Sequence, residues 1–221
     1  DNITFIGTSA FAGCISLISI GDLSNITNLG NNVFNSCKKL KSVNLSNKIS
    51  TLGSDIFSGC DVLESVGDLS NIVSIGAACF YNCINLLSVN LSKNCITIKY
   101  SSFQNCKNLT SIGDLSGITT LEDSVFYGCT SLQTIDVSNV VSFGSSCLRD
   151  CTLLSSFTFN DNVSYIGNMA FYGNAWYNNQ PDGIIKIGKA WYKYKGTAPS
   201  TDVVMDDDIV YMTLQCYAGQ P

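Results

Sequence analysis

The chain has 221 residues and no histidine. It therefore lacks the usual general base at neutral pH and the commonest nitrogen ligand for a metal ion. Charged residues make up only 13% of it, its formal net charge is −5, and no cluster of basic residues stands out. A basic footprint is what nucleic acid requires, so that class of partner is argued against. No apolar run approaches the roughly 20 residues of a membrane-spanning helix. No glycine-rich phosphate loop leads into a helix. The nearest fit to a zinc knuckle, Cys79 with Cys83, belongs to a different pattern described below. Carboxylates are spread evenly, with no pair set apart. Nothing indicates an enzyme, a cofactor or a metal centre.

What the chain does have is a period. Phe11, Phe34, Phe57, Phe80, Phe103 and Phe126 recur every 23 residues, followed by Leu148 in the same role and then Phe171. A cysteine follows three places later at Cys14, Cys37, Cys60, Cys83, Cys106, Cys129 and Cys151. The unit Ile49–Asn71 reads ISTLGSDIFSGCDVLESVGDLSN, and only the Ile118–Asn139 unit is one residue short. Seven units cover Ile3 to about Asn162, and Val163–Asn174 opens an eighth. A fixed period of this length predicts a solenoid, in which each unit buries its apolar face only by stacking on its neighbours.

Each column of the repeat has a predicted role. Leu40-x-x-Val43-x-Leu45 alternates with period two and reads as a short strand with Val43 and Leu45 inward. The column before the inward residue, Ser19, Ser42, Ser65, Ser88, Ser111, Thr134 and Ser156, then faces outward as a hydroxyl ladder. That ladder is either a polar binding face or an ordinary solvated sheet surface. The motif Ile72-x-x-Ile75-Gly76 predicts a second extended segment ending in a turn, and Lys99 and Glu122 interrupt its glycine column. Two places after the phenylalanine come Gly13, Ser36, Gly59, Asn82, Asn105, Gly128, Asp150 and Gly173, a composition that predicts left-handed backbone. No long helix is expected, only a single helical or 3₁₀ turn around each phenylalanine. Alternate units end in Gly-Asp-Leu-Ser, at Gly21, Gly67 and Gly113, and the shifted leucine there predicts a bulge or an early strand end. Asp22, Asp68 and Asp114 read as solvated turn residues.

Eleven cysteines suggest a disulfide framework only until they are placed. All fall in repeat columns: the seven above, then Cys79, Cys147 and Cys216 just before the phenylalanine-type position, and Cys95 at a unit opening. The expectation is reduced, mostly buried thiols acting as small core residues.

The template I-x-x-I-G-x-x-A-F-x-x-C-x-x-L-x-x-I, followed almost letter for letter from Ile3 to Cys14, resembles the BspA-like leucine-rich repeat. The resemblance covers about four-fifths of the chain and implies a mainly β, right-handed leucine-rich-repeat solenoid with short helical turns. It also implies an extracellular or cell-surface location, in bacteria above all, and adhesion to extracellular or host-surface proteins. The family has no binding motif that carries residue by residue onto this chain. The alternative is a structural spacer or a glycan-capturing surface.

The repeat stops at Asn174, which stands where cysteine is expected. Residues 1–174 read as the repeats, 175–200 as a β-hairpin insertion or cap, and 201–221 as a return to a partial repeat. In the insertion, Trp176–Gly183 is rich in turn residues, and Ile184–Ile187 and Ala190–Tyr194 flank the two-residue turn Gly188-Lys189. Trp176, Tyr177, Trp191, Tyr192 and Tyr194 lie among lysines there. They form either a ligand platform or a cap over the solenoid end, and the cap is the simpler reading because solenoid ends must be covered. Asp206, Asp207 and Asp208 could suggest calcium, but a solvated turn explains them as well. The chain begins almost on a repeat boundary with no visible leader, and it ends where another unit would start, as a fragment or a short natural end cap would.

Overall fold

The computed structural model describes residues 3–196 and the backbone of Tyr211–Met212, without the side chains of Lys193 and Tyr194. The elements are β1 (Phe5–Ile6), β2 (Asn28–Leu29), β3 (Thr51–Leu52), β4 (Ser74–Ile75), β5 (Ser88–Leu91), β6 (Thr97–Ile98), β7 (Ser111–Gly113), β8 (Thr120–Leu121), β9 (Ser142–Phe143), β10 (Tyr165–Ile166), α1 (Ala175–Asn178), β11 (Gly183–Ile187), β12 (Ala190–Lys195) and β13 (Tyr211–Met212). They stack as a mostly β solenoid with minimal helix. Two parallel ladders run along it. The first is formed by the isolated bridges Ser19–Ser42–Ser65 and by β5–β7. The second is formed by β1–β2, β3–β4–β6 and β8–β9–β10, in register so that Leu52, Ile75 and Ile98 stand opposite one another. Strand residues of both ladders alternate between the core and the outside, as the period-two pattern requires.

The third side of each coil is the phenylalanine turn, and it is not a helix. Bonds of the i→i+3 type close it, such as Cys37 N–H to the Phe34 carbonyl at 3.1 Å and Leu40 N–H to Cys37 at 3.1 Å. Left-handed φ occurs two places after every phenylalanine-type residue, from 56° at Asn82 to 79° at Gly173. It also occurs two places before, at Ser9, Asn32, Asp55, Ala78, Ser101, Ser124, Ser146 and Met169. With both flanks so turned, three N–H groups per unit aim at the next unit: Ser9 to the Asn31 carbonyl at 2.9 Å, Phe11 to Val33 at 2.9 Å and Gly13 to Asn35 at 2.7 Å. In the second ladder the donation runs the other way, from Gly76 N–H back to the Leu52 carbonyl at 2.7 Å. Each unit is therefore bonded to both neighbours through its backbone.

The rings follow the backbone. Phe11, Phe34, Phe57, Phe80, Phe103 and Phe126 form a near-parallel stack with centroids 5.1–5.5 Å apart, and from Phe34 onward they are fully buried. Where Leu148 replaces the ring, a neighbouring column compensates. Phe143 takes a place filled elsewhere by isoleucine or leucine and lies 5.1 Å from Phe171. The repeat glycine is needed for close approach: a Cβ at Gly76 would lie 2.5 Å from the Gly53 carbonyl carbon, and one at Gly167 2.4 Å from the Ser145 nitrogen. At the Gly-Asp-Leu-Ser ends, Gly67 and Gly113 have φ of 77° and 88°, and the pairing of β5 with β7 shifts register. That irregularity lets Leu69 and Leu115 reach the core from one place further along than Leu45 and Leu91.

At the C-terminal end the stack meets the hairpin. Residues 175–178 form a single turn of helix where the sequence suggested irregular turns, because Asn174, fully buried, caps it by accepting from Tyr177 N–H at 2.7 Å. Beyond it, β11 and β12 pair around Gly188-Lys189 as predicted, with Gly188 at φ 56° and Ile187 opposite Ala190. Ile185 and Ile187 face inward while Ile184 and Lys186 face out. In every earlier unit the phenylalanine-type N–H donates to the following unit. At Phe171 it donates to the Tyr192 hydroxyl at 3.0 Å, so the hairpin supplies the acceptor that a ninth unit would have supplied. Lys189 N–H to the Val163 carbonyl at 2.8 Å continues the second ladder. The backbone of β13 lies parallel to β12, with Ala190 opposite Tyr211. The predicted return to a partial repeat over 201–221, apart from the backbone of β13, and the side chains of Asp206–Asp208 fall outside the described residues.

Two outcomes follow for stability. Phe57→Ala should cost about 3–5 kcal/mol in a denaturant titration, the range for truncating a buried ring; a loss under about 1 kcal/mol would show that the stack is not the core. Tyr192→Phe should cost about 1–3 kcal/mol, because it removes the acceptor of a buried N–H while keeping the ring. An unchanged midpoint would mean that the hairpin does not cap the stack.

Candidate binding surface

The hydroxyl column predicted from the sequence is present. Ser19, Ser42, Ser65, Ser88, Ser111, Thr134 and Ser156 are all exposed on the outer face of the first ladder. Inward-facing Val43, Val66, Val89 and Ile112 hold the column in place. Toward its C-terminal end the face dips into an open groove of about 700 Å³. Ser111, Thr134 and Ser156 line it, with Asp136, Ser138, Thr158 and the half-buried ring of Phe157. Asp136 is oriented by accepting from Ser138 N–H at 2.9 Å. The groove offers hydroxyls, one carboxylate and one apolar wall, a set suited to hydrogen-bonded recognition and without a nucleophile–base pair.

A second hydroxyl column, which sequence reading missed, runs along the outer face of the second ladder. It comprises Thr51, Ser74, Thr97, Thr120 and Ser142, between Asn28 and Tyr165. The signal was available as the place before the second aliphatic residue of I-x-x-I, but the eye falls on the aliphatic pair. Also missed was Arg149, whose guanidinium carbon lies 5.3 Å from the Tyr127 ring centroid and 5.5 Å from that of Tyr172.

The hairpin aromatics are brought together, but in packing. Tyr177, Trp191 and Tyr192 are 7%, 7% and 3% exposed. Trp176 is half-buried and meets Phe157, Phe159 and Phe171 edge-on at 5.2–5.6 Å. Burial pushes the Tyr192 hydroxyl far above its ordinary range. Tyr177 and Tyr192 are thus part of the core and Trp176 packs against it, Trp191 is buried on the neighbouring strand position, and the Tyr194 side chain lies outside the described residues. The outward positions of β11 are Ile184 and Lys186.

Asp22, Asp68 and Asp114 are turn residues. Each accepts from the backbone N–H two places on, at 2.8–2.9 Å from Ser24, Ser70 and Ser116, and Asp68 also accepts from the Asn90 amide at 2.7 Å. Those bonds hold all three carboxyls below their ordinary range: the Ser24 and Ser70 backbone bonds lead at Asp22 and Asp68, the Ser116 side chain at Asp114. Among the described residues no group of three or more Cys, Asp or Glu side chains is placed to hold a metal ion.

The ten described cysteines are free thiols, and all but Cys14 are buried. Six of them form a ladder of their own. Cys37, Cys60, Cys83, Cys106, Cys129 and Cys151 each donate Sγ–H to the carbonyl of the preceding unit's phenylalanine at 3.0–3.2 Å. That small apolar body with one weak donor accounts for the column. Burial pushes the Cys37 thiol up from 9.0 to about 11 and the Cys60 thiol to about 12, which keeps them protonated and unreactive.

The comparisons agree with this geometry. A family model described as the BspA-type leucine-rich repeat region matches residues 1–84 and 73–197, in six copies. The structure resembles that of a leucine-rich repeat protein from Bacteroides ovatus, with a TM-score of 0.74 and 26% identity over 78% of this chain and 45% of that one. It also resembles the T. pallidum leucine-rich repeat protein, with a TM-score of 0.63 and 28% identity over 69% of this chain and 72% of that one. A leucine-rich repeat protein from Eubacterium ventriosum gives a TM-score of 0.60 and 26% identity over 71% of this chain and 42% of that one. The chain thus spans less than half the length of the first and third. No curated protein sequence matches it significantly.

Titration with a thiol reagent in denaturant, without reductant, should count all eleven cysteines of the chain; finding several pairs oxidised would contradict the thiol ladder. The same burial gives a pH dependence. A thiol whose folded pKa is raised stabilises fully below its unfolded value of 9.0, and that contribution fades as pH climbs through 11 to 12 for Cys37 and Cys60. Melting points measured across that window should fall, and should fall less in Cys60→Ala.

Proposed function

The chain belongs to the BspA-type leucine-rich-repeat family, and from that premise we propose that it is a non-catalytic binding module of a cell-surface or secreted protein. In this reading protein partners, extracellular or on a host surface, lie along the hydroxyl face that carries Ser42, Ser65, Ser88 and Ser111. Residues 1–174 form the recognition solenoid, 175–200 its cap, and 201–221 a partial repeat. The observation that carries the proposal is the groove at the C-terminal end of that face, where exposed hydroxyls, Asp136 and the Phe157 ring converge on one open concavity. A purely solvated sheet needs no such concavity. No described helix is long and apolar enough to cross a membrane.

The scaffold itself supports binding of this kind. Its backbone is fixed rung by rung, so outward side chains are held in place before a partner arrives, which lowers the ordering cost of association. The spacer alternative rests on the small, uniform hydroxyl column and predicts no saturable partner.

The test is capture of immobilised extracellular-matrix and serum proteins, comparing the wild-type chain with Ser111→Arg/Thr134→Arg. Saturable capture that falls at least about tenfold in the variant, with an unchanged melting point, supports the groove. Capture that survives the variant moves the site elsewhere, and no capture at all favours the spacer.

A further inference from the structure

In a repeat protein the informative surface residues are those that leave their column without any need of the core. On the second ladder such departures cluster at one place. The glycine column, where a Cβ at Gly30, Gly76, Gly144 or Gly167 would clash with the preceding unit's backbone, is replaced in two consecutive units by Lys99 and Glu122. The next column, Thr8, Asn31, Ser54, Ala77, Tyr100, Asp123, Ser145 and Asn168, carries its one aromatic residue at Tyr100. The outer strand column begins with Phe5, runs through Asn, Thr and Ser, and carries its tyrosine at Tyr165. Tyr100, Glu122, Asp123 and Tyr165 line the same cleft, of about 440 Å³, whose floor includes Thr120 and Ser142. A cleft of this size is typical of small-ligand sites, about 300–1,000 Å³.

The geometry points to a subsite for a neutral oligosaccharide in this cleft. Tyr100 is 56% exposed and belongs to the fifth rung, and half-buried Tyr165 belongs to the eighth. Three rungs at about 4.8 Å separate them by about 14 Å, which suits a short chain of sugar rings rather than a single one. Tyrosine combines a flat apolar face for the C–H side of a pyranose with a hydroxyl for its polar edge. The floor hydroxyls both donate and accept, as sugar hydroxyls require. The carboxylates are held in place. Glu122 pairs with Lys99 at 2.8 Å and accepts from Tyr100 N–H at 3.0 Å, and Asp123 accepts from Ser145 N–H at 2.7 Å. A fixed carboxylate has acceptor sites left for sugar hydroxyls. Lys99 is paired with Glu122, and the lining carries two carboxylates and no cation. Anionic sugars are therefore disfavoured by like charge. This subsite is separate from the proposed groove on the first ladder, with which it shares no lining residue.

The test titrates the whole chain by nuclear magnetic resonance with maltotriose, cellotriose and mannotriose, with trigalacturonate of the same length as the anionic probe. Expected is saturable binding of at least one neutral trisaccharide, shifting resonances around Thr120 and Ser142, and no binding of trigalacturonate. Tyr100→Ala should weaken the neutral sugar at least about tenfold. Asp123→Asn, which keeps an oxygen for Ser145 N–H, should weaken it less and admit the anionic probe. Melting points of both variants check that they fold. The proposal is overturned if none of the neutral probes binds at millimolar concentration, if Tyr100→Ala leaves binding unchanged, or if a lysine-containing tripeptide binds the cleft more tightly than any sugar. Capture of protein partners by the first-ladder groove should be unaffected by Tyr100→Ala, so failure of one site is distinguishable from failure of the other.

Discussion

No unit of this protein can satisfy its own backbone. Each coil sends N–H groups forward from the phenylalanine turn and backward from the second ladder, and each has neighbours that accept them. The cost of leaving a buried N–H unpaired is high enough to forbid an isolated coil. The stacked rings and the thiol ladder repeat the same dependence: Phe57 has a ring on either side, and the Cys83 thiol needs the carbonyl of Phe57. Stability is thus a sum over interfaces between units, and the ends are where that sum falls short.

The junction with the hairpin shows what meeting that shortfall requires. Phe143, Phe157, Phe159, Phe171, Trp176 and Tyr192 form a thick aromatic cluster, and the Tyr192 hydroxyl takes the Phe171 N–H. The hairpin cannot reproduce the register of a coil, so broad rings fill its irregular contact and a side-chain oxygen replaces a backbone one. That explains why the aromatics concentrated in residues 176–192 are mostly buried: their number reflects the shape mismatch between a hairpin and a stack.

Most of the architecture was legible because a period of 23 averages out the ambiguity of any one segment. The inward columns, the left-handed position two after each phenylalanine, the bulged Gly-Asp-Leu-Ser ends and the Gly188-Lys189 turn all had residue types that only one conformation suits. The left-handed position two before each phenylalanine was not legible. Ser9, Asn32, Asp55, Ala78 and Met169 share no preference strong enough to mark it, and Ala78 at φ 51° and Met169 at φ 56° are disfavoured there. Stacking imposes that conformation against local preference, since the N–H of Ala78 must reach the Tyr100 carbonyl at 3.0 Å. The short helix α1 was hidden for a related reason. Asn174 was read as a failed cysteine, when its side chain had become a helix cap.

The surface was legible only in part, because a column of small hydroxyls is compatible with binding and with mere solvation alike. What distinguishes the two is geometry between columns, which one repeat cannot reveal. Lys99 and Glu122 illustrate the point. In sequence they are two interruptions of a glycine column; in the structure they neutralise one another at 2.8 Å, and Glu122 also takes the Tyr100 N–H. The exchange gains the core nothing, since both side chains lie outside it, and an exposed ion pair adds little to stability. It does change the chemistry of the surface, orienting a carboxylate beside an exposed ring on an otherwise uniform hydroxyl ladder. Variation confined to outward columns is how one solenoid can hold different ligands on the same fold.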